Sequence, residues 1–252
     1  GFKIVHGFRA DEMRKFTALC LIFSFLSAQC FGGGSMDLDG VNDVIEPTIG
    51  GDTGLINTVT FSAWIKPRTQ DDFDGIFMTR ATNTKGLMIG SAAGNQLTCM
   101  WEGTRFDMAT GMKLILNSWN FVVFTKDADT TKGYLYSSTG TSTYSDSVSN
   151  FPNGVTGLWH IGQDGPDQGT RFIDGPMANV RFWDRTLSAD EVQEAFMCAD
   201  SPANGLRGQW MLWDTGNAYD LSGNGNHGVP EIPPIAVSQD GPPMNFCNGG
   251  AM

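Results

Sequence analysis

The stretch that most constrains this chain is residues 175–195, GPMANVRFWDRTLSADEVQEA. A short strand carrying Val180, Phe182 and Trp183 runs into Leu187 and Ser188. Ser188 then opens a helix over 188–197, and Glu191 three residues on completes a capping box. Val192 and Phe196, four apart, would hold one helix face against the rest of the protein. Glu191 and Glu194 therefore read as a cap and a solvated face, not as paired catalytic carboxylates.

Elsewhere the pattern is one of strands. Strand-like runs fall at 35–38, 44–46, 59–66, 76–79, 87–89, 97–101, 119–125, 133–136, 158–162, 177–183 and 206–212. Gly, Asn, Asp and Ser separate them. In 59–66, Val59, Phe61, Ala63 and Ile65 share one face. Thr60, Ser62 and Lys66 share the other, which Trp64 interrupts. That period of two predicts packing on one face. Residues 119–125 are apolar on both faces, as expected of a central strand. Many short strands with one helix predict an all-β fold, a two-sheet antiparallel sandwich with a short helix towards its C-terminal side. A chain of 252 residues is long enough for one such domain.

Charge and leader narrow the partners. The net charge is −11, and no cluster of Lys and Arg offers the basic surface that phosphate binding needs. Nucleic acid is therefore excluded. Acidity fits a soluble extracellular surface, and carboxylates are the raw material of calcium sites. Met13-Arg14-Lys15, an apolar run over 16–28 and small residues at Ser27 and Ala28 read as a secretory leader. The run is short for a transmembrane helix, which needs about 20 apolar residues, so no membrane span is expected. The expected organisation is a leader and Gly spacer at 1–34, with a signal peptide at 13–30. A sandwich domain at 35–229 and a loosely packed, Pro-rich tail at 230–252 follow. Without its leader the chain has 12 basic against 25 acidic residues, a net charge of −13. No Cys-x-x-Cys pair occurs, which argues against a zinc ribbon. A Cys198–Cys247 disulfide is compatible with export.

The 175–195 stretch closely resembles a closing segment, G-x-I-D-D-V-R-I-W-N-R-x-L-S-x-x-E-I. That segment belongs to the laminin-G-like (LamG, pentraxin-type) branch of the concanavalin A-like lectin/glucanase superfamily. Other matches keep the family order. Leu38-Asp39-Gly40-Val41-Asn42-Asp43 fits the opening L-D-G-x-x-D, and Phe61-Ser62-Ala63-Trp64-Ile65-Lys66-Pro67 fits F-S-x-W-I-K-P. Residues 119–125 fit W-x-x-V-x-x-T, and Ile161-Gly162-Gln163-Asp164 fits I-G-x-D. Residues 206–213 are similar to the G-x-W-x-L strand, and 220–228 to the D-x-S-G-N-G-N-H-G turn. In many relatives that turn opens the domain, whereas here it follows the helix. Either a different strand order completes the same sandwich, or a truncated second repeat begins there. The resemblance spans about 35–228. It implies a concanavalin A-like jelly roll that is extracellular and binds more often than it catalyses.

Three chemistries follow from these residues. Glycoside hydrolysis needs two carboxylates about 5–10 Å apart. Hydrolases of the superfamily carry them as E-x-D-x-x-E or E-x-D-x-E, and no run here has either pattern. There is no G-x-S-x-G, H-E-x-x-H or P-loop, so the chain is read as not an enzyme. The resemblance also implies one Ca²⁺ tying the opening strand to the closing one. Asp39, Asn42 and Asp43 would supply the opening side. On the closing side the family's D-D or D-E is replaced by Ala178-Asn179, leaving Asn179 with Asp174 nearby. The same Asp39, Asn42 and Asp43 would also build a tight turn.

For a glycan surface, Trp101 and Trp159 are candidate stacking rings, and equally candidates for the core. His160 ends a strand beside Trp159, while Asp164, Asp167 and Arg171 lie in the polar loop 163–171. His227, within its turn, is expected to make a structural hydrogen bond. The expected function is non-catalytic carbohydrate or cell-surface recognition by a secreted lectin-like sandwich. A structural or adhesion role in a surface assembly or virion, without sugar binding, is the alternative, because similar domains occur in phage-like proteins. A glycoside hydrolase is the third reading.

Overall fold

The computed structural model describes residues 34–49, 58–69, 73–79, 85–90, 96–101, 104–107, 112–147, 158–165, 169–200, 202–213, 217–230 and 235–244. The leader, Asp167 and Cys247 lie outside the described residues. In chain order the elements begin β1 (Ser35–Asp39), β2 (Ile45–Pro47), β3 (Val59–Ile65), β4 (Gly75–Thr79) and β5 (Lys85–Gly90). They continue with β6 (Gln96–Trp101), β7 (Thr104–Asp107), β8 (Asn120–Lys126), β9 (Thr130–Ser137) and β10 (Gly140–Ser147). The rest are β11 (Trp159–Ile161), β12 (Asp174–Trp183), α1 (Ala189–Met197), β13 (Leu206–Trp210), β14 (Gly228–Pro230) and β15 (Ala236–Ser238). Two antiparallel sheets result. The larger runs β10-β9-β8-β3-β12-β1-β15, with β13 also paired to β12, and the other runs β14-β2-β11-β4-β5-β6-β7. This is the jelly-roll sandwich expected of the sequence.

Period-two alternation sends Phe61, Phe124, Phe182 and Trp210 inwards to meet Phe77 and Trp159 of the second sheet. Phe77 stacks on Trp159 with centroids 4.6 Å apart, and Phe61 stacks on Phe182 at 5.3 Å. The opposite face of the larger sheet is also covered. Trp64, Phe121, Val123 and Trp183 pack there against Val192 and Ala195 of α1. Every residue of β3 is consequently buried. Packing on one face, as predicted for 59–66, is thus only half of that strand's role. Thr60 fits the second interface because its hydroxyl donates to the Arg185 carbonyl at 2.8 Å and accepts from the Leu187 amide at 3.0 Å.

The joint between β12 and α1 forms as its residues require. Ser188 Oγ accepts from the Glu191 amide, and Glu191 Oε2 accepts from the Ser188 amide. The far end of α1 has no basic residue in its last turn. Arg181 of β12 serves instead, donating to the carbonyls of Ala195, Cys198 and Ala199. A cation at a helix C-terminus complements the helix dipole. Burial pushes the Arg181 pKa down to about 9, opposed by Asp200, so the guanidinium stays charged at neutral pH.

The turn at 220–228 completes the same sandwich. His227 Nδ1 accepts from the Asp220 amide, Trp210 Nε1 donates to the Asn226 carbonyl, and β14 pairs with β2. The described part of the tail is integrated rather than loosely packed. β15 lies beside β1 with Met36 opposite Val237, and Ile235 and Met244 are buried. Cys99 is a buried free thiol, whereas Cys198 is disulfide-bonded.

Candidate functional site

The residues expected to bind glycan do not form one open surface. Trp101 and Trp159 are buried core rings, so neither offers a face to a ligand. Lys85 and Lys126 further cover the Trp101 ring, at 5.4 and 5.1 Å from its centroid. His160, also buried, places Nε2 3.1 Å from Glu46 Oε1 on the neighbouring strand. Asp164 is fully buried and accepts from Arg171 Nη1 at 2.8 Å. The Arg171 guanidinium also lies over Phe73, so this pair pins the base of its loop. His160, Asp164 and Arg171 are thus committed to structural contacts.

The expected calcium donors do not fit that ion. Asp39 Oδ1 accepts from the amides of Val41 and Asn42 at 2.8 and 3.2 Å. Asp43 Oδ2 accepts from the Asp39 amide at 2.9 Å. These bonds make the tight turn, and burial, with neighbouring Asp39 and Asp37, raises the pKa of Asp43. Asn179 lies elsewhere. Asp39 stands opposite Asp174, and Asn179 is five residues further along β12, roughly 16 Å at strand spacing. Asn179 is buried, with φ of +44° at a break in the β12–β3 register. Its amide donates to the Met211 carbonyl at 3.1 Å, and its Oδ1 accepts from Gln209 Nε2 at 2.9 Å. Among the described residues no three His, Cys, Asp or Glu side chains come together as a metal-holding set.

An arginine joins the opening and closing strands instead. Arg68 Nη2 donates to Asp37, and Nη1 donates to Asp174 at 2.9 Å.

Among the described residues, two open cavities lie on the helix side of the larger sheet. Trp64 of β3, Phe121 of β8 and Tyr136 of β9 sit in register on adjacent strands. Phe196 of α1 roofs the row, 4.6 Å from Tyr136 in a near-parallel stack and 5.4 Å from Trp64. Trp119, just before β8, and Pro243 of the tail complete a cavity of about 320 Å³ with Ser118, Ser137 and Ser138. Burial raises the Tyr136 phenol pKa, as does neighbouring Tyr134. The Trp64 indole N–H is buried without an acceptor.

A second, polar cavity of about 220 Å³ adjoins it, with Asp37, Lys66, Arg68 and Asp240 in its walls. Asp240 connects the two. Its Oδ1 accepts from Trp119 Nε1 at 3.1 Å and its Oδ2 accepts from Lys66 Nζ at 2.6 Å. The Lys66 ammonium, with help from Trp119, holds the Asp240 carboxyl below its ordinary pKa. Aromatic faces beside planar hydrogen-bonding groups can hold a ligand with one apolar face and many hydroxyls. Two signals in the sequence pointed here: Trp64 breaks the polar face of its strand, and 119–125 is apolar on both sides.

Comparison with known proteins places the fold. A Bacteroides ovatus ATCC 8483 protein, described provisionally as carbohydrate binding, is similar with a TM-score of 0.61 and 20% identity. The match covers 85% of this chain and 61% of that one, so this chain spans less than two thirds of the relative's length. The heptameric SAP-like pentraxin of Limulus polyphemus has a TM-score of 0.52 and 14% identity, covering 84% and 95% of the two chains. Tailspike protein 2 of Escherichia coli O157:H7 bacteriophage CAB120 has a TM-score of 0.50 and 15% identity, covering 73% and 27%. These are likenesses of fold. No curated protein sequence matches the chain. A laminin G family model, described as the concanavalin A-like lectin/glucanases superfamily, matches residues 39–193, more than half of the chain, and this protein belongs to that superfamily.

Proposed function

We propose that this protein is a non-catalytic carbohydrate-recognition module of the extracellular space, and that it holds glycan in the cleft between Trp119, Tyr136 and Phe196. One observation carries the reading: aromatic walls meet a cavity of fixed ion pairs through the Trp119–Asp240 hydrogen bond. The carbohydrate-binding description of the Bacteroides ovatus relative supports it. Retaining and inverting hydrolysis both call for a carboxylic acid that keeps its proton near neutral pH. Asp37 and Asp240 both line the polar cavity, but each is paired with a cation, and Asp240 is held low. That arrangement favours binding over bond cleavage. The disulfide at Cys198 suits an oxidising compartment. Among the described residues no helix is long and apolar enough to cross a membrane.

The test is a glycan array with the full chain, run with calcium and again with a chelator. Selective binding is expected in both conditions, and it should be lost in Trp119→Ala. An array blank in both conditions, from protein with an intact β-sheet circular dichroism spectrum, would sink the proposal and favour a structural role in a surface assembly.

A further inference from the structure

We infer that the ligand of this cleft is an uncharged oligosaccharide and that acidic sugars are excluded, an inference that rests on the carbohydrate reading above. Among the described residues, no charged side chain lines the aromatic cavity. A carboxylate or sulfate entering it would lose hydration and gain no counter-charge, which is strongly unfavourable. A sugar hydroxyl needs no counter-charge, and the carbon face of a pyranose gains by covering indole and phenol rings.

The adjoining cavity does hold cations, but they are already committed. Lys66 is paired with Asp240 at 2.6 Å, and Arg68 bridges Asp37 and Asp174. An acidic sugar would have to displace Asp240 from Lys66. It would also break the bond that fixes Trp119, because the same carboxylate accepts the indole N–H. Neutral hydroxyls can bond to these polar groups without separating the pairs. The net charge of −11 adds a long-range repulsion against polyanions.

Trp119 links the two cavities, lining one and donating its indole N–H to Asp240 in the wall of the other. A glycan spanning both would be gripped by its carbon face on one side and its hydroxyls on the other.

The experiment is isothermal titration of the full chain with two oligosaccharide series of equal length. One is neutral (gluco-, manno- and xylo-oligosaccharides) and one is acidic (oligogalacturonates and heparin fragments), each at low and high salt. Binding is expected in the neutral series, unchanged by salt and weakened about tenfold in Trp119→Ala. Ser138→Tyr fills the cavity from an exposed turn position that no fold contact needs, and it should weaken binding likewise. Asp240→Asn should release Lys66 and create acidic binding that the wild type lacks. Tight, salt-sensitive binding of the acidic series by the wild type would overturn the neutral-ligand inference while leaving carbohydrate recognition standing. Silence in both series would overturn carbohydrate recognition itself. Neutral binding untouched by Trp119→Ala and Ser138→Tyr would place the ligand elsewhere and overturn the site.

Discussion

Arg68 ties two strands together through its charge. Its guanidinium spans Asp37 on β1 and Asp174 on β12, so a covalently attached cation ties the opening strand to the closing one. The side chain is 39% exposed, which screens both pairs. Arg68→Met should therefore lower stability by only about 1 kcal/mol. The wild type should melt at the same temperature with calcium or with a chelator. A chelator-dependent fall in the melting temperature would reveal a calcium site that these residues do not make. Glu191 acts on a different scale of pH. Arg185 and the Ser188 amide hold its pKa near 2, below the ordinary 4.5. Its contribution is thus complete above pH 4.5 and is lost as the pH falls towards 2. Glu191→Gln should cost about 1 kcal/mol at neutral pH. The gap between mutant and wild-type urea midpoints should close in acid, and a constant gap would refute the assignment. Both residues show what a sequence pattern can carry. The capping box is local and was legible, whereas the partners of Arg68 lie 31 and 106 positions away. Trp101 and Trp159 were open to two readings because a Trp in a strand bears no mark of which side faces solvent.

Among the elements, α1 was legible at its start and not at its end. Its N-terminus is written within four residues, but its C-terminus is satisfied by Arg181 from β12. That arginine also lies over Phe121 and Trp183, 5.7 and 5.2 Å from their rings. Replacing it removes the guanidinium donor from the Ala195 and Cys198 carbonyls, while that of Ala199 keeps Asn179 and Gln209, so Arg181→Met should cost about 2–4 kcal/mol. The helix roof should loosen with it, and amide exchange in 189–197 should accelerate more than in β3 or β8. Equal protection in mutant and wild type would show that the helix end does not depend on Arg181. β10 was missed for a complementary reason. It is an edge strand, GTSTYSDS, with no apolar face to impose alternation. Its register comes from β9, where Thr141 faces Tyr136. β15 escaped notice because three residues, Ala236–Ser238, are too few to show a period.

At the scale of the molecule, the two ends of the sandwich domain meet in one sheet. β1 is hydrogen-bonded to β12 on one side and to β15 on the other. Such pairing is long-range in sequence, which slows folding. It also makes the tail part of the proposed site. Asp240 and Pro243 line the two cavities, and the Ser35 hydroxyl holds the Asp240 carbonyl at 2.7 Å. No local pattern in a Pro-rich segment announces this role, because its partners are set by the register of β1. Ending the chain after Pro230 would strip β15 from the sheet and expose the backbone of β1 as an open edge, which invites association. It would also remove the buried Ile235 and Met244. Each such side chain contributes about 1.5–3 kcal/mol, a large share of a stability of roughly 5–15 kcal/mol. The truncated protein should melt at lower temperature, run as aggregates in size exclusion and lose its response to neutral oligosaccharides. Unchanged melting and monomer elution, with binding retained, would show that the tail is dispensable and that neither Asp240 nor Pro243 belongs to the site.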